Sequence, residues 1–130
     1  MEKILKILLI EDDNDDVELL QDAFEENLLP NTMHVIKDGG LVASYLQTCE
    51  EVPDIIVMDL NLPKVHGREL IKHIKQLDAF KTIPLVVLTT SSSQNDIDYS
   101  YKEGASTHLI KPTTTLGFTH VVDTIRQLVK

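Results

Sequence analysis

The stretch ILKILLIEDDNDD, residues 4–16, is an apolar run that breaks into a burst of acids. Ile4–Ile10 reads as a buried strand, with Glu11, Asp12 and Asp13 just past its C-terminal end. Three later runs repeat the arrangement. Asp54–Asp59 leads into Met58-Asp59-Leu60-Asn61, Ile83–Thr89 closes on a hydroxyl, and Thr107–Ile110 is followed by Lys111 and Pro112. Acids, a hydroxyl and a lysine that each follow a strand can converge on one rim of a parallel sheet, where open α/β folds bind their ligands. Such a set suits a divalent metal and a phosphoryl group.

A fifth apolar run, Met33–Lys37, completes the strands. Three of the five are continuously apolar rather than alternating, as expected of a sheet covered on both faces. Helical patterns lie between them. Asp15 with Glu18 resembles an N-terminal cap, and Val17, Leu20, Phe24 and Leu28 follow at helical spacing. Val42, Tyr45 and Leu46 predict a short second helix after a Gly39-Gly40 turn. Leu70, Ile71, Ile74 and Leu77 predict a third, Ile97 and Tyr101 a fourth, and Val121, Val122, Ile125, Leu128 and Val129 a fifth. Ser91-Ser92-Ser93 reads as a polar loop and helix start. The order βαβαβαβαβα implies parallel pairing with right-handed crossovers in one α/β domain spanning residues 1–130.

Apolar residues make up 42 % of the 130, enough for a core that needs no metal or disulfide staple. A formal charge of −9 argues against nucleic acid and anionic lipid, whose phosphates require Lys and Arg. Cys49 is the one cysteine and permits a reducing compartment. Lys6 interrupts the first apolar run, no small-residue cleavage site follows it, and no stretch approaches the roughly 20 apolar residues of a membrane span. The expectation is a soluble, cytoplasmic protein with no nucleic-acid or membrane partner.

If the first and third strands are neighbours, Glu11, Asp12 and Asp59 meet. Clustered carboxylates raise one another's pKa unless a cation neutralises them, and hard oxygen ligands without His or Cys suit Mg²⁺. Asp13, Asp15 and Asp16 read instead as acids that cap the following helix. Asp59 is the candidate nucleophile, since a carboxylate that attacks phosphorus forms an aspartyl phosphate. Lys111 can reach a phosphoryl oxygen as a point charge, and Thr89 can donate to the same group, although Thr90 and Ser91 leave that assignment open by one residue. His34, His66, His73 and His120 have no metal-like spacing and read as surface or loop residues.

Four stretches in this order, Leu8-Leu9-Ile10-Glu11-Asp12-Asp13, Asp59-Leu60-Asn61-Leu62-Pro63 with Gly67, Val87-Leu88-Thr89-Thr90 and Ile110-Lys111-Pro112, resemble the response-regulator receiver domain of two-component signalling. The resemblance covers essentially the whole chain. It implies a flavodoxin-like, doubly wound (βα)5 fold with a five-stranded parallel sheet in the order 2-1-3-4-5. It also implies that Asp59 accepts a phosphoryl group from a histidine kinase phosphohistidine. Asp12, Asp59 and the backbone carbonyl of Asn61 would ligate Mg²⁺, with Glu11 acting through water. Thr89 would be the switch hydroxyl and Lys111 the phosphate-binding cation, and Asn61 and Ser91 would tune hydrolysis. Lys111–Pro112 is similar to the family's cis peptide. The switch position three before the lysine, usually Tyr or Phe, is His108. The usual picture, a ring swinging inward as the hydroxyl moves, is therefore in question here.

The resemblance further implies a non-enzymatic signalling domain that catalyses only its own phosphotransfer and aspartyl-phosphate hydrolysis. The chain is similar to single-domain, stand-alone receivers, which include those paired with phytochrome-type kinases. Its expected partners are a sensor histidine kinase or phosphotransfer protein and a downstream protein target. The expected output face is helix four, strand five and helix five, including His108 and Tyr101; many relatives dimerise there, which leaves a homodimer among the expected assemblies. A haloacid-dehalogenase-type phosphohydrolase would need a second Asp two residues after Asp59, where Asn61 stands. A flavodoxin-like electron carrier would need a hydroxyl- and Gly-rich first loop in place of the acidic one. A receiver fold acting as a constitutive binding module is opposed by the intact set of Glu11, Asp12, Asp59, Thr89 and Lys111.

Overall fold

Leu5–Ile10 forms β1, whose residues from Ile7 onward are all buried, as a continuous apolar run between two helical layers must be. The computed structural model describes residues 4–62 and 66–129. β1 pairs in parallel with β2 (Asn31–Ile36) on one side and with β3 (Ile55–Met58) on the other; β4 (Leu85–Thr89) and β5 (Thr107–Ile110) follow, giving the order β2-β1-β3-β4-β5. The helices are α1 (Asn14–Glu26), α2 (Val42–Thr48), α3 (Gly67–Gln76), α4 (Gln94–Lys102) and α5 (Thr115–Leu128). This is the expected doubly wound (βα)5 sheet. None of the described helices is long and apolar enough to cross a membrane.

Strand alternation divides the core in two. Leu9, Val57 and Val86 face α1 and α5, where they meet Leu20, Phe24, Phe118 and Val122. Leu8, Ile10, Met58 and Val87 face the other way, against Val42 and Leu46 of α2 and Leu70, Ile71 and Ile74 of α3. Period-2 geometry sends alternate residues of each strand into opposite layers.

Several boundaries differ from the sequence reading. β4 begins at Leu85 rather than Ile83, because Pro84 has no N–H for the ladder; its carbonyl still accepts from Ile56 N at 3.0 Å. β2 begins at Asn31, two residues before the apolar pattern does, and β2 and β5 are half-exposed edges rather than buried strands. The Gly39-Gly40 turn is a 3-10 turn over Gly39–Leu41. Asp13, not Asp15, caps α1: its backbone is extended and its Oδ1 accepts from Asp15 N at 2.8 Å. Within α4 the buried residue is Ser100, while Tyr101 is exposed. The Lys111–Pro112 peptide is trans, the isomer that X–Pro bonds favour by about 0.5–1 kcal/mol. Pro63, part of the second matching stretch, lies outside the described residues.

Of the four histidines read as surface or loop residues, His34, His66 and His120 are exposed and His73 is half-buried. His34 of β2 stacks on Tyr45 with ring centroids 4.4 Å apart, and His66 caps α3 by accepting from Arg68 N. His73 of α3 is half-buried and its Nε2 has no partner among the described residues, while His120 lies exposed on α5.

Gly67 opens α3 against the chain just after Asp59. A Cβ there would lie 2.4 Å from the Leu60 Cα, so only glycine allows this approach. Leu28 departs from the expected α1 stripe. It follows the Asn27 C-cap at φ 54°, 83 % exposed, with Leu28 N bonded to Glu25 O and Leu29 N to Phe24 O. This is a Schellman ending with leucine where glycine is usual. Leu28→Gly is expected to raise unfolding stability by about 1 kcal/mol in urea titrations, because the left-handed conformation burdens an L-residue by roughly that amount; a loss of similar size would refute the strain.

Candidate functional site

Register brings the site together. Ile10 pairs with Met58, so Glu11 and Asp59 leave β1 and β3 at one level; Thr89 pairs with Ile110, so Lys111 emerges one step beyond Thr89. Glu11 N donates to Ile36 O, Asp59 N to Ile10 O and Lys111 N to Thr89 O, extending the backbone ladder past the strand ends. Glu11, Asp59 and Lys111 continue the parity of Leu9, Val57 and Leu109. They therefore reach the α1/α5 side of the sheet, where α1 begins.

There the Lys111 ammonium meets three carboxylates: Asp16 Oδ2 at 2.7 Å, Asp59 Oδ2 at 2.7 Å and Glu11 Oε1 at 2.8 Å. The lysine is 9 % exposed at its side chain and Asp59 6 %, so these bonds are largely shielded from solvent. Asp59 Oδ1 accepts from Asn61 N at 3.1 Å. Asp12, exposed at the rim, completes a group in which carboxylate oxygens of Glu11, Asp12 and Asp59 all lie within 4.8 Å of one another. Four carboxylates thus share this rim with one ammonium, which binds three of them. An all-oxygen set with this charge excess fits a hard divalent cation.

Electrostatics separate the two buried partners. Burial pushes the Glu11 carboxyl up to about 7, with Lys111 pulling it down and Asp59 adding to the rise. Burial alone would lower Lys111, but its hydrogen bonds to Asp16, Asp59 and Glu11 outweigh it and hold the ammonium above the ordinary lysine range. Lys111 is therefore a fixed charge, and Glu11 is the group that titrates near neutrality.

The expected residues fall as follows. Glu11, Asp12, Asp59 and Lys111 are brought together. Thr89, fully buried, is the last residue of β4, whereas Thr90 is exposed. Thr89 Oγ1 accepts from Ser91 N at 3.3 Å. Asp16 was read only as a helix-start acid, yet it also binds Lys111; the signal was its place one turn into α1, directly after the acidic strand end. Ser100, which meets His108 Nδ1 at 3.1 Å, was missed because a serine inside a weak helical pattern announces nothing by itself.

A doubly wound sheet with this rim is the architecture of a receiver domain, and the sequence matches the response regulator receiver domain over residues 7–123. The chain belongs to that family. It is 34 % identical to the "Probable methanogenesis regulatory protein FilR2" of Methanothrix harundinacea, over 93 % of this chain and 81 % of that one. It is 37 % identical to response regulator Rcp1 of Synechocystis sp., over 81 % of this chain and 75 % of Rcp1. A crystal structure of Rcp1 with Mn²⁺ bound superposes with a TM-score of 0.83 at 33 % identity, covering 95 % of this chain and 92 % of that one. The phosphorylated cyanobacterial phytochrome response regulator RcpA gives a TM-score of 0.87 at 33 % identity, covering 96 % of this chain and 93 % of that one.

Because a protonated Glu11 removes one negative charge from the cluster, cation binding should release a proton. Divalent-cation affinity is expected to rise several-fold between about pH 6 and about pH 8 in calorimetric titrations, and Glu11→Gln should flatten the rise. A pH-independent affinity in the unaltered protein would contradict the titration of Glu11.

Proposed function

We propose that this receiver domain is a phospho-accepting switch in which Asp59 takes a phosphoryl group from the phosphohistidine of a sensor histidine kinase or phosphotransfer protein. The supporting observation is the environment of Asp59: a nearly buried carboxylate at a strand end, bound by Lys111 and grouped with Glu11 and Asp12. The phosphorylated state of the relative RcpA and the Mn²⁺-bound state of Rcp1 favour the same reading.

In this reading the P–N bond of the donor breaks as a P–O bond to Asp59 forms, and the chain supplies position and charge. Mg²⁺, held by Asp12, Asp59 and the Asn61 carbonyl with Glu11 acting through water, would supply positive charge to the phosphoryl oxygens. Lys111 exchanges its bond to Asp59 for one to a phosphoryl oxygen, remaining anchored by Asp16 and Glu11. Thr89 donates its hydroxyl to another phosphoryl oxygen. The burial of Asp59 limits water's access to the acyl phosphate, and Asn61 and Ser91, at the mouth, set how fast the domain hydrolyses it. The signal then passes through the α4, β5 and α5 face to a downstream protein in the cytoplasm, with self-association through that face as one form of output. The likeness to RcpA supports a phytochrome-type kinase as the donor.

Incubation with Mg²⁺ and acetyl phosphate should add one phosphoryl group by intact mass, and EDTA or Asp59→Asn should abolish the addition. Lys111→Ala should slow phosphorylation by more than tenfold, on the order of one lost charge-assisted hydrogen bond in the transition state, while changing cation affinity far less. Unchanged labelling of Asp59→Asn would remove Asp59 from its role.

A further inference from the structure

α4 is fastened to the body by polar groups. Its buried side chain is Ser100, which meets the ring of His108 on β5, and the other nitrogen of that ring reaches the loop that leads into α4. His108 Nε2 lies 3.1 Å from the Ser91 carbonyl, and Nδ1 lies 3.1 Å from Ser100 Oγ. A carbonyl only accepts, so Nε2 carries a proton and donates to it. The one proton of the Ser100 hydroxyl is shared between Nδ1 and the Asp96 carbonyl at 2.8 Å, and the His108 backbone N–H donates to the Tyr101 hydroxyl at 3.1 Å.

The ring therefore grips the loop that follows Thr89 at the end of β4. Ser91 is held at three points. Its N–H donates to Thr89 Oγ1, its hydroxyl donates to Asp96 Oδ2 at 2.6 Å, and its carbonyl accepts from His108. Asp96 in turn meets Arg68 of α3, whose guanidinium lies over the Tyr99 ring. Swinging the imidazole outward would break the Nε2 bond to the Ser91 carbonyl and take Nδ1 away from the buried Ser100 hydroxyl. Leaving buried polar groups unpaired is costly.

We infer that His108 is a fixed brace rather than a swinging ring: a positioning residue that holds Ser91, and through it sets the Thr89 hydroxyl to receive a phosphoryl oxygen. The inference rests on the phosphoacceptor reading of Asp59. It separates this chain from receivers in which an aromatic ring at this position moves with the switch.

The test is beryllofluoride affinity in Mg²⁺ for the unaltered domain, Thr89→Val, His108→Ala and the double variant. His108→Ala should weaken beryllofluoride roughly five- to tenfold, the effect of one to two net hydrogen bonds, with divalent-cation affinity unchanged. In the double variant the loss should equal that of Thr89→Val alone, since His108 acts through Thr89. His108→Gln, whose amide can still donate to Ser91, should recover most of the loss, and Ser100→Ala should give a smaller one without opening the ring site. The ¹⁵N shifts of the His108 ring should stay the same when beryllofluoride is added. Additive losses, a parallel loss of cation affinity, or ring shifts that change on beryllofluoride binding would each overturn the brace. Should His108→Ala fail to fold, the Ser100→Ala affinity decides: one equal to that of the unaltered domain overturns the brace. An unaltered domain that binds Mg²⁺ but no beryllofluoride would overturn the phosphoacceptor reading and the brace with it, whereas normal binding that ignores His108 and Ser100 defeats the brace alone.

Discussion

One buried ammonium organises the active rim. Lys111 draws the end of β1, the first turn of α1 and the end of β3 to a single point through Glu11, Asp16 and Asp59. Without it three carboxylates would face each other in a poorly solvated mouth, and at least one would have to protonate or turn outward. With it the mouth stays short of positive charge, because Asp12 joins the same group. That deficit is what a divalent cation and a phosphoryl group can resolve together. Two other carboxylates, those of Glu11 and Asp16, would still hold the Lys111 ammonium in place if the bond to Asp59 were given up.

The rim exists because the sheet is doubly wound. Parallel strands present all their C-terminal ends on one side, and the register aligns Glu11 with Asp59 to within the pleat. Two separate apolar layers clamp β1 and β3 from both faces, which makes the positions of those end residues rigid. Gly67 adds a local constraint by allowing α3 to press on Leu60 beside Asp59. The edge of the molecule around β5 and α4 is built differently. Its strand is half-exposed and its helix buries a serine, so hydrogen bonds take the place of apolar packing. Regions held this way open more easily than a packed core.

How legible this was in the sequence follows from the same physics. Continuous apolar runs reveal central strands, so β1, β3 and β4 and the residues just past their ends could be placed almost to the residue. Edge strands carry a weaker pattern: Asn31 and Thr32 joined β2 through backbone pairing with Leu5 and Lys6, which no side-chain periodicity announces. Leu28 looked like the next turn of α1 because spacing alone says nothing about a left-handed C-cap. The carboxylate cluster was readable because each member followed a strand. The share of Asp16 in holding Lys111 and the grip of His108 on Ser91 and Ser100 were not, since both depend on where α1 and α4 lie against the sheet. Such contacts belong to tertiary placement rather than to local pattern.

Acidic residues are plentiful on this chain, and the account stands on only a few of them collecting the cation. Paramagnetic broadening of backbone amide signals by substoichiometric Mn²⁺ locates the ion directly. The account predicts early loss of the signals of Glu11, Asp12, Asp59 and Lys111, with Glu51 and Asp54 at the opposite rim, near Lys6, persisting. Broadening spread over Asp22, Glu25 and Glu26 of α1, or centred on the Glu51–Asp54 end, would contradict it.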